Sequence, residues 1–581
     1  MITKIATDVL VVGGGTGGSA AAIQAARRGA KTVLVSQFPW LGGMLTSAGV
    51  GAPDGNELAA WQTGLWGAYL RQLQQQQAGG LNHGWVSMFT YQPVTGASIF
   101  AAWERNLPNL SWIQGKAPQE VLRRENRIVG VRFEDLIVEA NITIDGTELG
   151  DLLAQGSIPH RWGWELQEEF GEASAPESEN QITTEYPVQV PTWVFLLQDY
   201  GISNSAPQIS KFSDNTSCFQ SAWDNHGKEQ FLNYGRLPGE RFMINWPLHG
   251  NDYGRNLGRL IESTPARREF LQEAYEHSCN FAAFVQEHLG KRYGLATNNF
   301  PHSLGNGAFA LSPYFRESRR LRGMETLKEQ DILPLSGGCV AKLPTTATGE
   351  VSAIAIGNYP NDHHYPGVEF PLQPKSLAWG GRWTGTPFTI PYGALIPEAI
   401  DGFLVCEKNI SVSHIANGSS RLQPVVMNLG QAAGMAAALC IERGCQPRNL
   451  PVRELQEALL NDTLAPAAVI PLLNLSPDHP QWLKWQRYYL EHPEAYPNDG
   501  NCPCSDYSPQ IREFGSAYRG ILEVESATDY QLLCGGKSYR LVTLRPDVHQ
   551  KLASCDTGKK LTILGYLNSG AQWLVVKKVG D

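Results

Sequence analysis

Apolar and polar positions along the chain change period several times, and each change marks an element. Val9–Val12 run apolar on both faces behind Asp8, as a strand buried in a parallel sheet does. The Ala-rich stretch Thr16–Arg28 predicts a helix and Lys31–Val35 a second strand. Two alternating runs around Glu125-Asn126, within Val121–Phe133, predict a β-hairpin. Trp193–Leu197 is a strand candidate, Ala266–Gly290 keeps a helical period, and Phe403–Cys406 is another short buried strand. The small-residue stretch Val425–Arg443 predicts a long helix, with Pro424 suited to its first turn and Gly444 to its stop. Residues 165–186 are acidic with Pro and Ser and predict an exposed loop, Gln74–Gln77 falls on a helix or its end, and Tyr496–Cys504 reads as a breaker-rich linker. Beyond it, short alternating runs at Gly520–Val524, Tyr530–Cys534, Tyr539–Val542, Leu561–Gly565 and Trp573–Val576 predict a small five-stranded β-barrel, appended and separable.

The junction of the first strand and helix carries chemistry. Gly13-x-Gly15-x-x-Gly18 supplies a tight turn, close approach of a pyrophosphate, and close packing of helix on sheet. Free N–H groups at the helix start, around Thr16 and Gly17, would hold phosphates. In a chain with 59 glycines the motif is weak alone, and the flanking strands and helix supply its context. Where a carboxylate usually takes the ribose hydroxyls, the second strand ends in Ser36 and Gln37, neutral groups that disfavour a nicotinamide cofactor. A second glycine pair follows in Phe38-Pro-Trp-Leu-Gly42-Gly43-Met44-Leu-Thr46 and favours FAD, although the segment by itself also reads as a Gly-rich turn. The start of the late helix, Gln423, Pro424, Val425, Val426 and Met427, would offer N–H donors and a positive dipole end to the pyrimidine edge of a reduced flavin, while Gly430 and Gly434 would allow close packing on a sheet or the cofactor.

In order along the chain, the Gly13 motif, Trp40-Leu-Gly-Gly-Met44, Asp145-Gly146-Thr147-Glu-Leu-Gly150-Asp151, Arg316-Glu-Ser-Arg-Arg320, Gly357-Asn-Tyr359-Pro-Asn-Asp362-His-His364, Ile390-Pro-Tyr392-Gly-Ala-Leu-Ile-Pro397 and Ser411–Gly434 carry a family resemblance. Over residues 5–450 the chain resembles the FAD-dependent oxidoreductases related to the flavoprotein subunits of fumarate reductase and succinate dehydrogenase, within the glutathione-reductase-type FAD superfold. The resemblance implies FAD, with Asp145, Gly146 and Thr147 beside it. It also places Arg421, in Gly418-Ser-Ser-Arg421-Leu422, as a substrate-carboxylate arginine, and the Tyr359 to His364 block toward the substrate. Two departures touch the ribose and ribityl contacts: Ser36-Gln37 in place of an acid, and Glu407-Lys408 where relatives often have Gly-Asp or Gly-Arg. No His occurs between Leu41 and Gly49, so FAD is expected to be noncovalent.

The chain of 581 residues is long enough for several domains. The expected fold class is α/β: a three-layer Rossmann-like FAD-binding domain from residues 1–160 and 395–450, an inserted α+β substrate or cap domain at 161–394, a helical extension and linker at 451–513, and the barrel at 514–581. A net charge of −9 without a basic run argues against a nucleic-acid surface. No apolar stretch of membrane-spanning length is apparent and the first strand starts at once, so neither a span nor a signal peptide is expected and the cytoplasm is the expected compartment. Ten cysteines read as reduced thiols, and Cys502-Pro-Cys504 lacks a second Cys/His pair at metal spacing, so no metal is expected.

Candidate proton carriers are His414, on the loop leading to Arg421, and His364. Arg316, Arg319 and Arg320 read as a solvated or ion-paired helix face from which one, Arg316 first, could touch substrate; Tyr359 completes the set. The reading is an FAD-dependent oxidase or dehydrogenase that moves hydride from a C–H next to nitrogen or oxygen in a small, anionic or neutral substrate and passes electrons to oxygen or a carrier. The alternatives are reduction of an activated C=C held by Arg421, and a non-catalytic flavoprotein whose barrel recruits a partner.

Overall fold

Because its apolar run is hydrophobic on both faces, β1 (Thr3–Val12) takes the centre of a seven-stranded sheet. The structure, a computed structural model, describes residues 2–77, 79–302, 304–505, 507, 515–526 and 528–580. After β1 come helix α1 (Thr16–Arg27), β2 (Thr32–Val35), β3 (Leu110–Ile113), the hairpin β4 (Glu120–Arg124) and β5 (Arg127–Arg132), and β6 (Leu136–Asp145). Their order is β3-β2-β1-β6-β5-β4. Val12 of β1 pairs in register with Val35 of β2 and Asp145 of β6, so Gly13, Ser36 and Gly146 emerge side by side at the carboxyl edge. β5 pairs only with Ile137–Glu139 of β6, and the strand Phe403–Val405 takes over along Thr143–Asp145. Glu407 is thereby delivered to the same edge.

The helix Gln423–Arg443 lies on α1. A Cβ at Gly430 would overlap the Gly17 carbonyl, and one at Gly434 the Ala21 carbonyl. The small residues therefore serve a helix–helix crossing, not contact with the sheet or cofactor as expected. This helix is also long and apolar enough to cross a bilayer, with a mean hydropathy of 1.5, contrary to the expectation from the sequence; 94% of its most apolar window is buried inside the protein.

A second core belongs to the cap. It is built on a four-stranded antiparallel sheet, in the order Tyr293–Leu295, Phe195–Asp199, Arg241–Ile244, Arg236–Leu237, backed by the helix Thr264–Leu289. Leu321, Ile354, Ile356, Phe388 and Ile390 pack instead into the first core with the sheet, so the cap is smaller than the interval 161–394. Two further expectations are corrected. Residues 165–186 contain two short helices, and Glu165 and Glu172 are buried there. Arg316–Arg320 is ion-paired but is no solvated helix face: the segment lies outside any helix, and Arg316, Arg319 and Arg320 are buried against Asp252, Asp151 and Glu165. Interior carboxylates contributed from distant segments replace water as partners.

The C-terminal strands Ser516–Ser526, Asp529–Cys534, Lys537–Val542, Lys560–Asn568 and Trp573–Gly580 close into a barrel with its own core. The barrel also docks on the body. Ala59 N donates to Leu544 O (2.8 Å), Thr543 N to Gly380 O (2.8 Å) and Asn568 Nδ2 to Gly84 O (2.7 Å), while Val542, Leu544 and Val575 join the first core. Residues 506 and 508–513 of the expected linker, and residue 514 of the expected barrel, lie outside the described residues. All ten cysteines are free thiols, with Cys502 and Cys504 lying against Asn474.

Candidate active site

A cleft of about 240 Å³ opens at the carboxyl edge of the sheet. Ser36, Gln37 and Lys116 line it together with Gly15, Gly43 and Thr147, and Ser47, Trp193 and Phe315 line it too. Gly13 and Gly146 also line it, whereas Thr16, Gly17, Gly18, Gly42, Met44 and Thr46 are buried beneath its wall. The second glycine pair is pinned to α1: Thr16 Oγ1 donates to Gly42 O (2.8 Å), and Gly42 N donates to Ser19 Oγ (2.9 Å). Thr46 closes that turn by donating to Leu41 O (2.6 Å).

Of the two groups ending β2, the Ser36 hydroxyl is committed within the fold, accepting from Trp112 Nε1 (2.8 Å) and donating to Phe38 O (3.1 Å). Gln37 is exposed and stays available; Lys116, which sequence reasoning missed, also lines the cleft, with its Nζ paired to Asp135. Asp145 organises its own loop: Oδ1 accepts from Thr147 N (2.9 Å) and Thr147 Oγ1 (2.6 Å), and burial pushes the carboxyl up to about 7 against those bonds. Gln423 Oε1 accepts from Asp54 N (3.4 Å), and Pro424, Val425, Val426 and Met427 are buried, with Val426 in the cap core. The late helix thus begins at the junction of the two cores.

That junction gathers the catalytic candidates. Arg421 is buried, donating from Nη1 to Tyr314 Oη (2.6 Å) and from Nη2 to Asp362 Oδ2 (3.1 Å) and Asp362 O (3.2 Å), while its Nε has no partner. His364 lies between two acids, with Nε2 2.9 Å from Asp362 Oδ2 and Nδ1 3.1 Å from Asp252 Oδ2. Behind them, Arg316 pairs with Asp252 (3.1 Å) and donates to Val190 O (2.6 Å). Burial opposes ionisation of Asp362, but His364, Arg421 and Arg316 outweigh it and hold the carboxyl well below the usual range. For Asp252, burial is likewise outweighed by Arg316 and His364, down to about 2. Asp54 goes the opposite way: burial, then Glu57, push it well above the usual range despite Arg382. Tyr359 and Tyr234 share this surrounding of Asp54 and Asp362, and both phenols are pushed up chiefly by burial. The side chain of Asp362 keeps 39% exposure within this packing, and Asp54, Tyr234 and Tyr359 are partly accessible. Their mutual electrostatic influence marks them as one cluster, partly reached by solvent.

His414 is sealed apart from it. Its Nδ1 faces Glu317 Oε1 (2.9 Å), its Nε2 faces Tyr365 Oη (2.5 Å), and its ring lies 3.9 Å from that of Trp164. Burial, then Arg320, pushes its pKa well below the ordinary value. Asp54, Asp252 and Tyr314 were missed by sequence reasoning; the only local signal was Tyr314 standing two positions before Arg316.

Parallel strands meeting a glycine-lined cleft at the β1–α1 crossover define a dinucleotide-binding flavoprotein fold. Residues 8–459 match the family model described as FAD dependent oxidoreductase, and the chain belongs to that family, with FAD as its cofactor. No curated protein matches the sequence. Among solved structures the chain is similar to GidA from Aquifex aeolicus, at 20% identity over 24% of each chain and a TM-score of 0.19. It is also similar to a geranylgeranyl bacteriochlorophyll reductase-like protein from Thermoplasma acidophilum, at 10% identity over 79% of this chain and 84% of that one, TM-score 0.33. A third is THI4 from Thermovibrio ammonificans, at 15% identity over 28% of this chain and 66% of that one, TM-score 0.21. The chain spans about a quarter of the length of GidA.

The residues present fit FAD. The helix N-cap, Gly15, carries no side chain to occupy the α1 N-terminus, and the cleft reaches it between Gly43 and Gly146. Gly13, Gly15, Thr147, Gln37 and Lys116 would hold the dinucleotide, with one acidic exception, Glu407.

Proposed function

We propose that this FAD-dependent oxidoreductase removes hydride from a C–H bond next to nitrogen or oxygen in a small polar molecule, and that His364, held between Asp362 and Asp252, takes the accompanying proton. The observation that carries this reading is the hydrogen-bonded chain Arg421–Asp362–His364–Asp252, beside which burial pushes the Asp54 carboxyl the opposite way from Asp362. Environments that push two carboxyls apart set them to different roles in proton transfer. When bound, FAD supplies the hydride acceptor. Arg421 fixes Asp362 and polarises Tyr314; Tyr359 and Tyr234 offer hydroxyls to a polar substrate. Electrons then pass to oxygen or a carrier.

Reduction of a C=C in a carboxylate substrate has less support, because both Nη groups of Arg421 are already engaged by Tyr314 and Asp362. His414, with both ring nitrogens engaged, is assigned to holding the Arg316–Arg320 segment in place. The unpaired thiols support the cytoplasm as compartment. Anaerobic bleaching of the flavin absorbance by a panel of amines, amino acids and hydroxy acids tests the reading. Asp362→Asn is expected to slow bleaching while leaving flavin bound. A flavin that no donor in the panel bleaches, but that unsaturated acids reoxidise once it is chemically reduced, would overturn it.

A further inference from the structure

An anion of the protein's own lies buried behind Gly15, one of the glycines that line the cleft. Glu407 follows the strand that replaces β5 beside β6, and its side chain turns under the α1 N-terminus, fully buried. Its Oε1 accepts from Gly17 N (2.6 Å), one of the first-turn donors of α1, and a Cβ at Gly15 would overlap that same oxygen. The carboxylate therefore sits at the positive end of the helix, against the glycine past which a diphosphate has to pass.

The charges facing Glu407 do not cancel it cleanly. Lys408, on its own loop, lies 3.2 Å from Oε2, but the same Nζ lies 2.5 Å from Glu148 Oε2, which lines the cleft. The β6 end adds Asp145, and the Cys406 thiol adjoins it. Farther along the cleft, Asp151 is taken up by Arg267 and Arg319. The first turns of α1 and of the Gln423–Arg443 helix bring no charged side chain. One lysine thus serves two carboxylates at a place where two phosphate charges must be added.

We propose that Glu407 makes FAD loading proton-linked: its carboxylate holds the α1 N-terminus in the cofactor-free chain, and binding of the diphosphate neutralises it by proton uptake. The proposal rests on the FAD assignment and adds to it a residue that sets affinity and its pH dependence. Geometry brings the two anions to one set of N–H donors. Burial, only partly offset by Lys408, already pushes the free carboxyl up to about 7, so the proton is available near neutrality.

The sign follows from linkage. If bound FAD raises the proton affinity of Glu407, affinity is constant below the free value and falls above it, by up to roughly tenfold per pH unit. Kd for FAD, read from quenching of flavin fluorescence between pH 6 and 9, is expected to rise above pH 7 in the wild-type protein. Glu407→Gln keeps an acceptor for Gly17 N and removes the charge, so it is expected to bind FAD more tightly at pH 8.5 with a flat profile. Glu407→Gly should behave like the glutamine variant. Equal affinity and equal pH slope in all three proteins, with flavin bound in each, overturns the gate and leaves the FAD assignment and the proposed oxidation untouched. Weaker binding by the glutamine variant also overturns it, by making Glu407 a ligand of the cofactor.

Discussion

Replacing Arg421 by lysine separates the two jobs its position allows. The guanidinium spans two partners, the Tyr314 hydroxyl at 2.6 Å and the Asp362 carboxylate at 3.1 Å, and a single ammonium reaches one of them. A hydrogen bond involving a charged group contributes about 1.5–3 kcal/mol, so losing one sets the scale. Asp362 keeps His364 at 2.9 Å, so it is not left bare, and the expected loss in unfolding stability sits near the lower end, about 2 kcal/mol. If Arg421 also fixes Asp362, and with it His364, for proton transfer, the loss in transition-state stabilisation is about 2–4 kcal/mol, which is roughly thirty- to a thousandfold in kcat/KM. Thermal unfolding and anaerobic flavin reduction by whichever donor the panel identifies are measured on the same flavin-loaded protein. A drop in stability with unchanged reduction per bound flavin confines Arg421 to a structural role. If both stay normal, the derivation from Tyr314 and Asp362 is refuted and the reactive group has to be sought elsewhere.

Three further expectations follow from the packing. Gly430→Ala forces a methyl into the Gly17 carbonyl at the crossing of two buried helices, and should cost about 1–3 kcal/mol or more in unfolding experiments and lower flavin occupancy by shifting α1. A chain ending at residue 501 exposes the face that Val542, Leu544 and Val575 cover, so it should lose solubility and melt well below the full chain; an equally stable, flavin-loaded truncation would show that the docked barrel adds nothing to the body. Lys375 is buried, donating to Tyr359 O (2.5 Å), and desolvation lowers it from 10.5 to about 7. The unfolded chain therefore holds the extra proton between those values, and the contribution to stability is lost as pH falls through that window. Relative to Lys375→Met, the wild-type melting temperature should climb between pH 7 and 9.5, and parallel pH profiles would contradict the assignment.

What the sequence determined by itself is local: the β1–α1–β2 unit, the β4–β5 hairpin, the helix that starts at Pro424 and the alternating strands of the barrel. Each depends on an apolar period and on glycine or proline punctuation within a few residues, and such signals survive without tertiary context. Residue type misled where partners come from afar. Arg316–Arg320 looks like a charged surface, yet Asp252, Glu165 and Asp151 arrive from other segments and draw the arginines inside. The acidic stretch 165–186 is misread for the same reason, since Glu165 answers Arg320, and Glu172 accepts from Ser413. Only the tertiary structure brings Asp54, Asp252, Tyr314, Asp362 and Arg421 into one cluster, because spacing along the chain holds no information about which loops meet. Glu407 lies between these cases. The sequence marks it as a departure from its relatives, but its place under Gly17 exists only because β5 leaves β6 halfway and the strand Phe403–Val405 carries Glu407 to the cofactor edge.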